Sequence, residues 1–92
     1  MRINLDFAQA HYNLGNLLKN LKRFEEAERE YRETIRINPD YGEAHGNLGI
    51  LYSRLEKTEE AKKELETSKR LFEAQGRVED VKKAEELLNS LK

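Results

Sequence analysis

The side chains of this 92-residue chain with the most obvious chemical potential are two histidines, His11 and His45. An imidazole can bind a metal, shuttle a proton or sense pH. The pair stands 34 residues apart, each in the context Ala-His-x-Asn-Leu-Gly. If that spacing marks equivalent points on neighbouring helices, the rings sit about 10 Å apart, the distance between packed helix axes. A single metal with Zn–N bonds of about 2 Å cannot bridge such a gap, and no cysteine or third histidine completes a ligand set. The two rings are therefore expected to be packing residues with one hydrogen-bonded nitrogen, able to make stability respond to pH near 6. No nucleophile–base pair, phosphate-cradling glycine loop or paired catalytic carboxylate stands out, and no enzyme activity, cofactor or metal is expected.

The histidines belong to a longer repetition. RINLDFAQAHYNLG, Arg2 to Gly15, returns as RINPDYGEAHGNLG, Arg36 to Gly49, with nine of fourteen positions identical. Leu, Glu, Lys, Arg and Ala, all good helix formers, dominate the surrounding sequence. Apolar residues recur at steps of three and four, which predicts helices. Phe7, Ala10, Leu14, Leu17, Leu18 and Leu21 form one stripe; Phe24, Ala27, Tyr31, Ile35 and Ile37 form a second. Tyr41, Ala44, Leu48, Leu51, Tyr52 and Leu55 form a third; Ala61, Leu65, Leu71 and Phe72 a fourth; Val78, Val81, Ala84, Leu88 and Leu91 a fifth. Asp6 with Gln9, and Asp40 with Glu43, read as capping boxes. Pro39 should stop the second helix, and Gly76 should supply a left-handed residue after the fourth. The turns at Leu21–Arg23 and Glu56–Thr58 are short, so neighbouring helices run antiparallel. Glu25/Arg29, Glu28/Arg32, Glu59/Lys63 and Glu66/Arg70 are spaced to pair along solvent faces, each for about 0.2–0.5 kcal/mol.

The bulk numbers narrow the function. Seventeen Lys+Arg against 18 Asp+Glu leave a net charge of −1. Nucleic acid as main partner would need a basic excess on one face, and Lys19, Arg54 and Arg77 are too few. No run of about 18 apolar residues exists to span a membrane, and MRINLDF lacks an apolar signal core. Absence of cysteine fits a reducing compartment, so a cytoplasmic location is expected.

A 34-residue period of helix, tight turn and helix resembles the tetratricopeptide repeat family. The first unit carries His11-x-x-Leu14-Gly15-x-x-Leu18, then Ala27-x-x-x-Tyr31, then Pro39; the second carries His45-x-x-Leu48-Gly49-x-x-Tyr52, then Ala61-x-x-x-Leu65. The resemblance implies an all-α solenoid of antiparallel helix-turn-helix pairs, five helices in all. Repeat one would cover about 8–41, repeat two about 42–75, and a capping helix about 77–91. Gly15, Gly49, Ala27 and Ala61 stand where close helix packing requires small residues. His11 and His45 replace the large apolar residue usual in the family, and Lys22 and Glu56 replace a turn glycine. A left-handed turn there costs roughly 1 kcal/mol. Met1–Leu5 resembles the end of a preceding repeat, which suggests descent from a longer array; the alternative is a short protein with a frayed start. Two units and a cap are fewer than the three usually needed for a stable stack, and the first pair would have an uncovered apolar end.

By the same resemblance, the first helices of successive pairs line a concave groove. Its lining would comprise Gln9, Tyr12, Asn13, Asn16, Lys19 and Asn20, then Glu43, Gly46, Asn47, Ile50, Ser53 and Arg54, with Arg77 from the last helix. The implied function is a protein-interaction module, of scaffold or adaptor type, that holds a peptide or helix of a partner protein. Asn13, Asn16 and Asn47 could satisfy a peptide backbone or could bridge neighbouring helices. One subfamily grips acidic chaperone tails through five residues, at positions matching Tyr12, Asn16, Asn47, Arg77 and Val81, or, with the last helix shifted, ending in Lys83 and Leu87. Two cations of that set are missing here, each worth about 1.5–3 kcal/mol in a charge-assisted bond, so a full clamp is not expected. A second function class is a structural assembly unit that self-associates, as a homodimer or larger, through its exposed terminal helix faces.

Overall fold

The computed structural model describes residues 4–91. Residues 1–3, most of the stretch that reads as the remnant of a preceding repeat, lie outside the described residues, as does residue 92. The described residues form five helices: α1 (Leu5–Asn20), α2 (Phe24–Ile37), α3 (Gly42–Arg54), α4 (Thr58–Ala74) and α5 (Val78–Ser90). Each packs antiparallel on its predecessor, so α1–α2 and α3–α4 are hairpins and α5 lies along α4. Their small residues explain how closely the hairpins close. A Cβ added to Gly15 would stand 2.7 Å from the Tyr31 ring, and one added to Gly49 would stand 2.7 Å from Leu65 Cγ and 3.2 Å from the Ala61 carbonyl. Ala27 and Ala61 are fully buried opposite them.

The three hairpin corners share one geometry. Lys22, Glu56 and Gly76 have φ of 63°, 61° and 69°. The following N–H reaches back to a carbonyl in the last turn: Arg23 to Leu18, Lys57 to Tyr52 and Arg77 to Phe72, at 2.8–2.9 Å. This is the Schellman arrangement, which satisfies carbonyls a helix end would otherwise leave open. Only the third corner uses the residue that adopts positive φ without steric cost.

The capping boxes are not formed. Asn4, not Asp6, caps α1, accepting from the Phe7 N–H at 3.1 Å. Leu5 is the first residue of α1. Asp40 lies outside α3, which starts at Gly42 with no side-chain cap. The Asn38 N–H is held by the Thr34 carbonyl, and Asn38 Oδ1 accepts from the Asp40 N–H, so the chain turns around Asn38 instead. Of the four expected i,i+4 pairs, Glu28–Arg32 forms among the described residues; Arg23–Glu26, Glu33–Arg36 and Arg77–Asp80 pair at i,i+3.

The core runs along the seam between the hairpins, through Leu18, Ala27, Tyr31, Leu48, Leu51, Tyr52 and Ala61. On the convex side, Arg32 donates to Tyr52 Oη at 2.6 Å and Tyr52 donates to Glu28 at 3.2 Å, tying α2 to α3. Near the start of α3, buried Ser68 donates to the Gly42 carbonyl at 2.9 Å.

Candidate groove and the residues that build it

Helical spacing sets one stripe of α1 (Tyr12, Asn16, Lys19) beside one stripe of α3 (Glu43, Asn47, Ile50, Arg54), both toward the concave side. On that side lies a cavity of about 260 Å³. Of the residues expected in the groove, it collects Tyr12, Glu43, Gly46, Asn47 and Ile50. Its remaining walls come from α4 (Leu65, Ser68, Phe72) and α5 (Asp80, Lys83, Ala84, Leu87). Phe72 and Ser68 are admitted because α3 carries glycine opposite them: added Cβ atoms at Gly42 and Gly46 would meet Phe72 at 2.7 Å and Ser68 Oγ at 3.1 Å.

Asn16 and Asn47 are occupied by the protein itself. Asn47 Nδ2 donates to Tyr12 Oη at 3.0 Å and to Asn16 Oδ1 at 2.8 Å. Asn16 Oδ1 also accepts from buried Tyr31 Oη, at 2.5 Å. Both amide hydrogens of Asn47 and the carbonyl of Asn16 are thus spent on joining the hairpins, and the bridging role is the one the geometry provides. Burial of Tyr31 and the neighbouring Tyr12 push the Tyr31 hydroxyl far above its usual pKa, although the Asn47 amide works the other way. The Tyr12 and Tyr41 ring centroids lie 5.1 Å apart, with the rings tilted 33° to each other.

Charge on this side is unevenly placed. Arg77 stacks over the Phe72 ring at 4.6 Å and pairs with Glu43 at 3.1 Å and Asp80 at 2.7 Å, so one cation is shared by two carboxylates and the trio keeps a net charge of about −1. Lys83 is the α5 cation at the cavity wall, with Leu87 one turn on. Lys19 and Arg54 lie together at the other end: burial and then the charge of Arg54 lower the Lys19 pKa. Among the described residues, none of Lys19, Arg54 and Lys83 makes an ion pair. Gln9, Asn13 and Asn20 are exposed on α1 and take no part in the cavity.

The histidines lie away from the cavity, one in each hairpin. His11 Nδ1 is 2.6 Å from Glu30. His45 uses both nitrogens, Nδ1 toward Glu64 and Nε2 toward the Pro39 carbonyl, each at 2.8 Å, where one bond was expected. Both partners are acceptors, so the fully bonded ring is the imidazolium. Burial opposes that charge, but Glu64, the Pro39 carbonyl and the charge of Asp40 outweigh it and raise the pKa. No group of three His, Cys, Asp or Glu side chains suited to a metal is present among the described residues.

Stacked helical hairpins joined by left-handed corners, closed by a last helix and enclosing a concave face, define an α-solenoid repeat protein. The tetratricopeptide repeat is matched twice, over residues 8–41 and over residues 30–63, and the chain belongs to that family. Solved structures agree on the fold. A tetratricopeptide repeat domain protein from Salinibacter ruber superimposes with a TM-score of 0.86 at 19% identity, covering 97% of this chain and 90% of that one. The N-terminal domain of stress-induced protein-1 from C. elegans gives 0.73 at 22% identity, over 95% and 75% of the two chains. The first such domain of Spaghetti (RPAP3), bound in that structure to the HSP90 peptide SRMEEVD, gives 0.72 at 18% identity, over 100% and 84%. No curated protein is similar enough in sequence to count as a relative.

Proposed function

We propose that the chain is a non-enzymatic adaptor module, cytoplasmic in setting, whose concave groove holds an extended acidic peptide of a partner protein with one large aliphatic side chain seated in the cavity. The observation that carries this reading is the pairing of an apolar floor with cations on the rim. Ile50, Leu65, Phe72, Ala84 and Leu87 form the floor beside Lys83, with Glu43 and Asp80 on the wall held by Arg77. Lys19 and Arg54 stand near each other on the concave stripes of α1 and α3, and neither they nor Lys83 have a carboxylate partner among the described residues. A cavity of this kind anchors a side chain, and rim charges select and steer the ligand. The peptide of the RPAP3 structure, with its acidic residues, supports the same class of ligand. Leu87 and Tyr12 stand where the five-residue clamp has cations, so this groove favours an apolar anchor over a terminal carboxylate.

Fluorescence polarisation with Asp/Glu-rich peptides bearing a central Leu or Met tests it. Ile50→Glu should weaken binding about 30-fold or more, the loss typical of a central anchor. Lys19→Glu with Arg54→Glu should weaken it less and flatten its salt dependence. Equal affinity for Lys-rich peptides, or indifference to Ile50→Glu, would rule the reading out.

A further inference from the structure

We infer that the 92-residue chain pairs with a second copy of itself through the outer face of α1, the two α1 helices antiparallel about a two-fold axis. The face is the stripe Phe7, Ala10, Leu14, Leu17 and Leu21, spaced three, four, three and four residues apart. A 3.5-residue repeat of this kind keeps one seam facing a partner helix.

The molecule carries its own template for what this stripe does. Thirty-four residues on, the same register positions are Tyr41, Ala44, Leu48, Leu51 and Leu55. There they lie against α2, and Leu48 and Leu51 are 2% and 0% exposed. On α1, Leu14 and Leu17 are 43% and 55% exposed, and Phe7 and Leu21 more so. The seam that binds a neighbouring helix in the second hairpin is present in the first with nothing on it among the described residues. Contiguous apolar patches of this kind mark interaction sites.

Two observations select the occupant. The opposite end of the stack does not match: α5 turns Glu79, Lys82, Glu85, Glu86 and Asn89 to solvent, and Val78 is its one exposed large apolar side chain among the described residues. Seating α1 of one copy on α5 of another would bury charges against leucines. Head-to-tail stacking is thereby disfavoured, and the self-complementary choice is α1 on α1, an isologous contact that closes as a dimer. Charge then selects the direction. Asp6 flanks the stripe at its start and Lys22 follows its end, Arg23 beside it being paired with Glu26. Antiparallel helices set Asp6 of each copy toward the basic end of the other; parallel ones would set Asp6 on Asp6. The groove stripe (Tyr12, Asn16, Lys19) lies on a different face of α1, so pairing and peptide binding are separable.

Sedimentation equilibrium of the intact chain from about 1 μM to about 1 mM, a range that brackets modest affinities, should show mass rising from 10.8 kDa to twice that and no further. Leu14→Glu should raise the dimer dissociation constant by about 100-fold, since symmetry counts each loss twice, with helical circular dichroism unchanged because the site faces solvent. The chain has no cysteine, so Phe7→Cys and Leu21→Cys chains can be mixed and treated with a short bis-maleimide. The two positions are about 21 Å apart along a helix. Antiparallel pairing gives the mixed product; parallel pairing gives the two homodimers. A monomer at all concentrations, a ladder of higher oligomers, a Leu14→Glu dimer or predominant homodimer cross-links would overturn the inference.

Discussion

The two hairpins repeat the same letters but not the same duties. Leu14 and Leu48 occupy one register position, as do Gly15 and Gly49, His11 and His45, Lys22 and Glu56. In the second hairpin α3 is gripped on both sides, by α2 and α4; in the first, α1 is gripped by α2, with its far seam in solvent. His45 is buried with two bonded nitrogens, while His11 is half-exposed with one. The difference teaches that a residue's contribution follows its place in the stack more than its identity, as nearest-neighbour stacking implies.

Substitutions at matched positions test this most severely. Leu48→Ala should cost about 2–5 kcal/mol, the range for a large buried aliphatic residue, and in so small a domain that removes much of the folded population. Leu14→Ala should stay within about 0.5 kcal/mol at concentrations where the chain is monomeric. Chemical denaturation of both variants reads the contrast, and equal losses would break it. Gly49→Ala comes next. It forces Leu65 and the Ala61 carbonyl against a new methyl group with helices on both sides, so a loss of about 1–3 kcal/mol is expected. Gly15→Ala meets the Tyr31 ring at a similar distance, but α1 can yield outward, and thermal melts should show a smaller loss.

The histidines give a smaller, pH-dependent contrast. A group whose pKa is raised on folding adds stability that is fully present below its unfolded value, near 6.5 for His45, and fades as pH rises through the folded value. The chain should therefore melt higher at about pH 5.5 than at about pH 8. His45→Gln should remove most of that slope. Melts of this variant and of the unaltered chain across that range check the assignment; a slope that survives His45→Gln would refute it. The smallest effect belongs to the corners. Lys22→Gly and Glu56→Gly should each stabilise by up to about 1 kcal/mol, the left-handed cost being partly offset by the entropy of glycine. Gly76→Ala should destabilise by a similar amount, as urea midpoints would show.

The five helices and their antiparallel order were legible because apolar spacing and short turns are local signals. The apolar stripe on α1 was legible too, since its three- and four-residue spacing is read directly from the sequence. Helix starts were less so: Asn4 took the first-turn N–H of α1 in place of Asp6, and Asp40 is turned outside α3 by its own N–H bond to Asn38, and nothing in the letters ranks nearby caps. The cavity was legible on its α1 and α3 walls, which inherit the repeat, but not on the far side. The seat of α5 depends on how the longer α4 presents Phe72 and on Arg77 bridging Glu43 and Asp80. These are tertiary contacts, and they decide that Lys83 and Leu87, rather than Arg77 and Val81, wall the groove. Asn16 and Asn47 left two roles open in the sequence; only the Tyr12 and Tyr31 hydroxyls beside them show where their hydrogen bonds go.

The groove itself is tested most directly by a methyl-labelled NMR titration with an acidic peptide carrying one central leucine. The methyl signals of Ile50, Leu65 and Leu87 should move together and saturate, while those of Leu14 and Leu17 keep their peptide-free positions at matched chain concentration. Shifts confined to Leu14 and Leu17, or a spectrum unmoved by excess peptide, would contradict the assignment of the concave face as the binding surface.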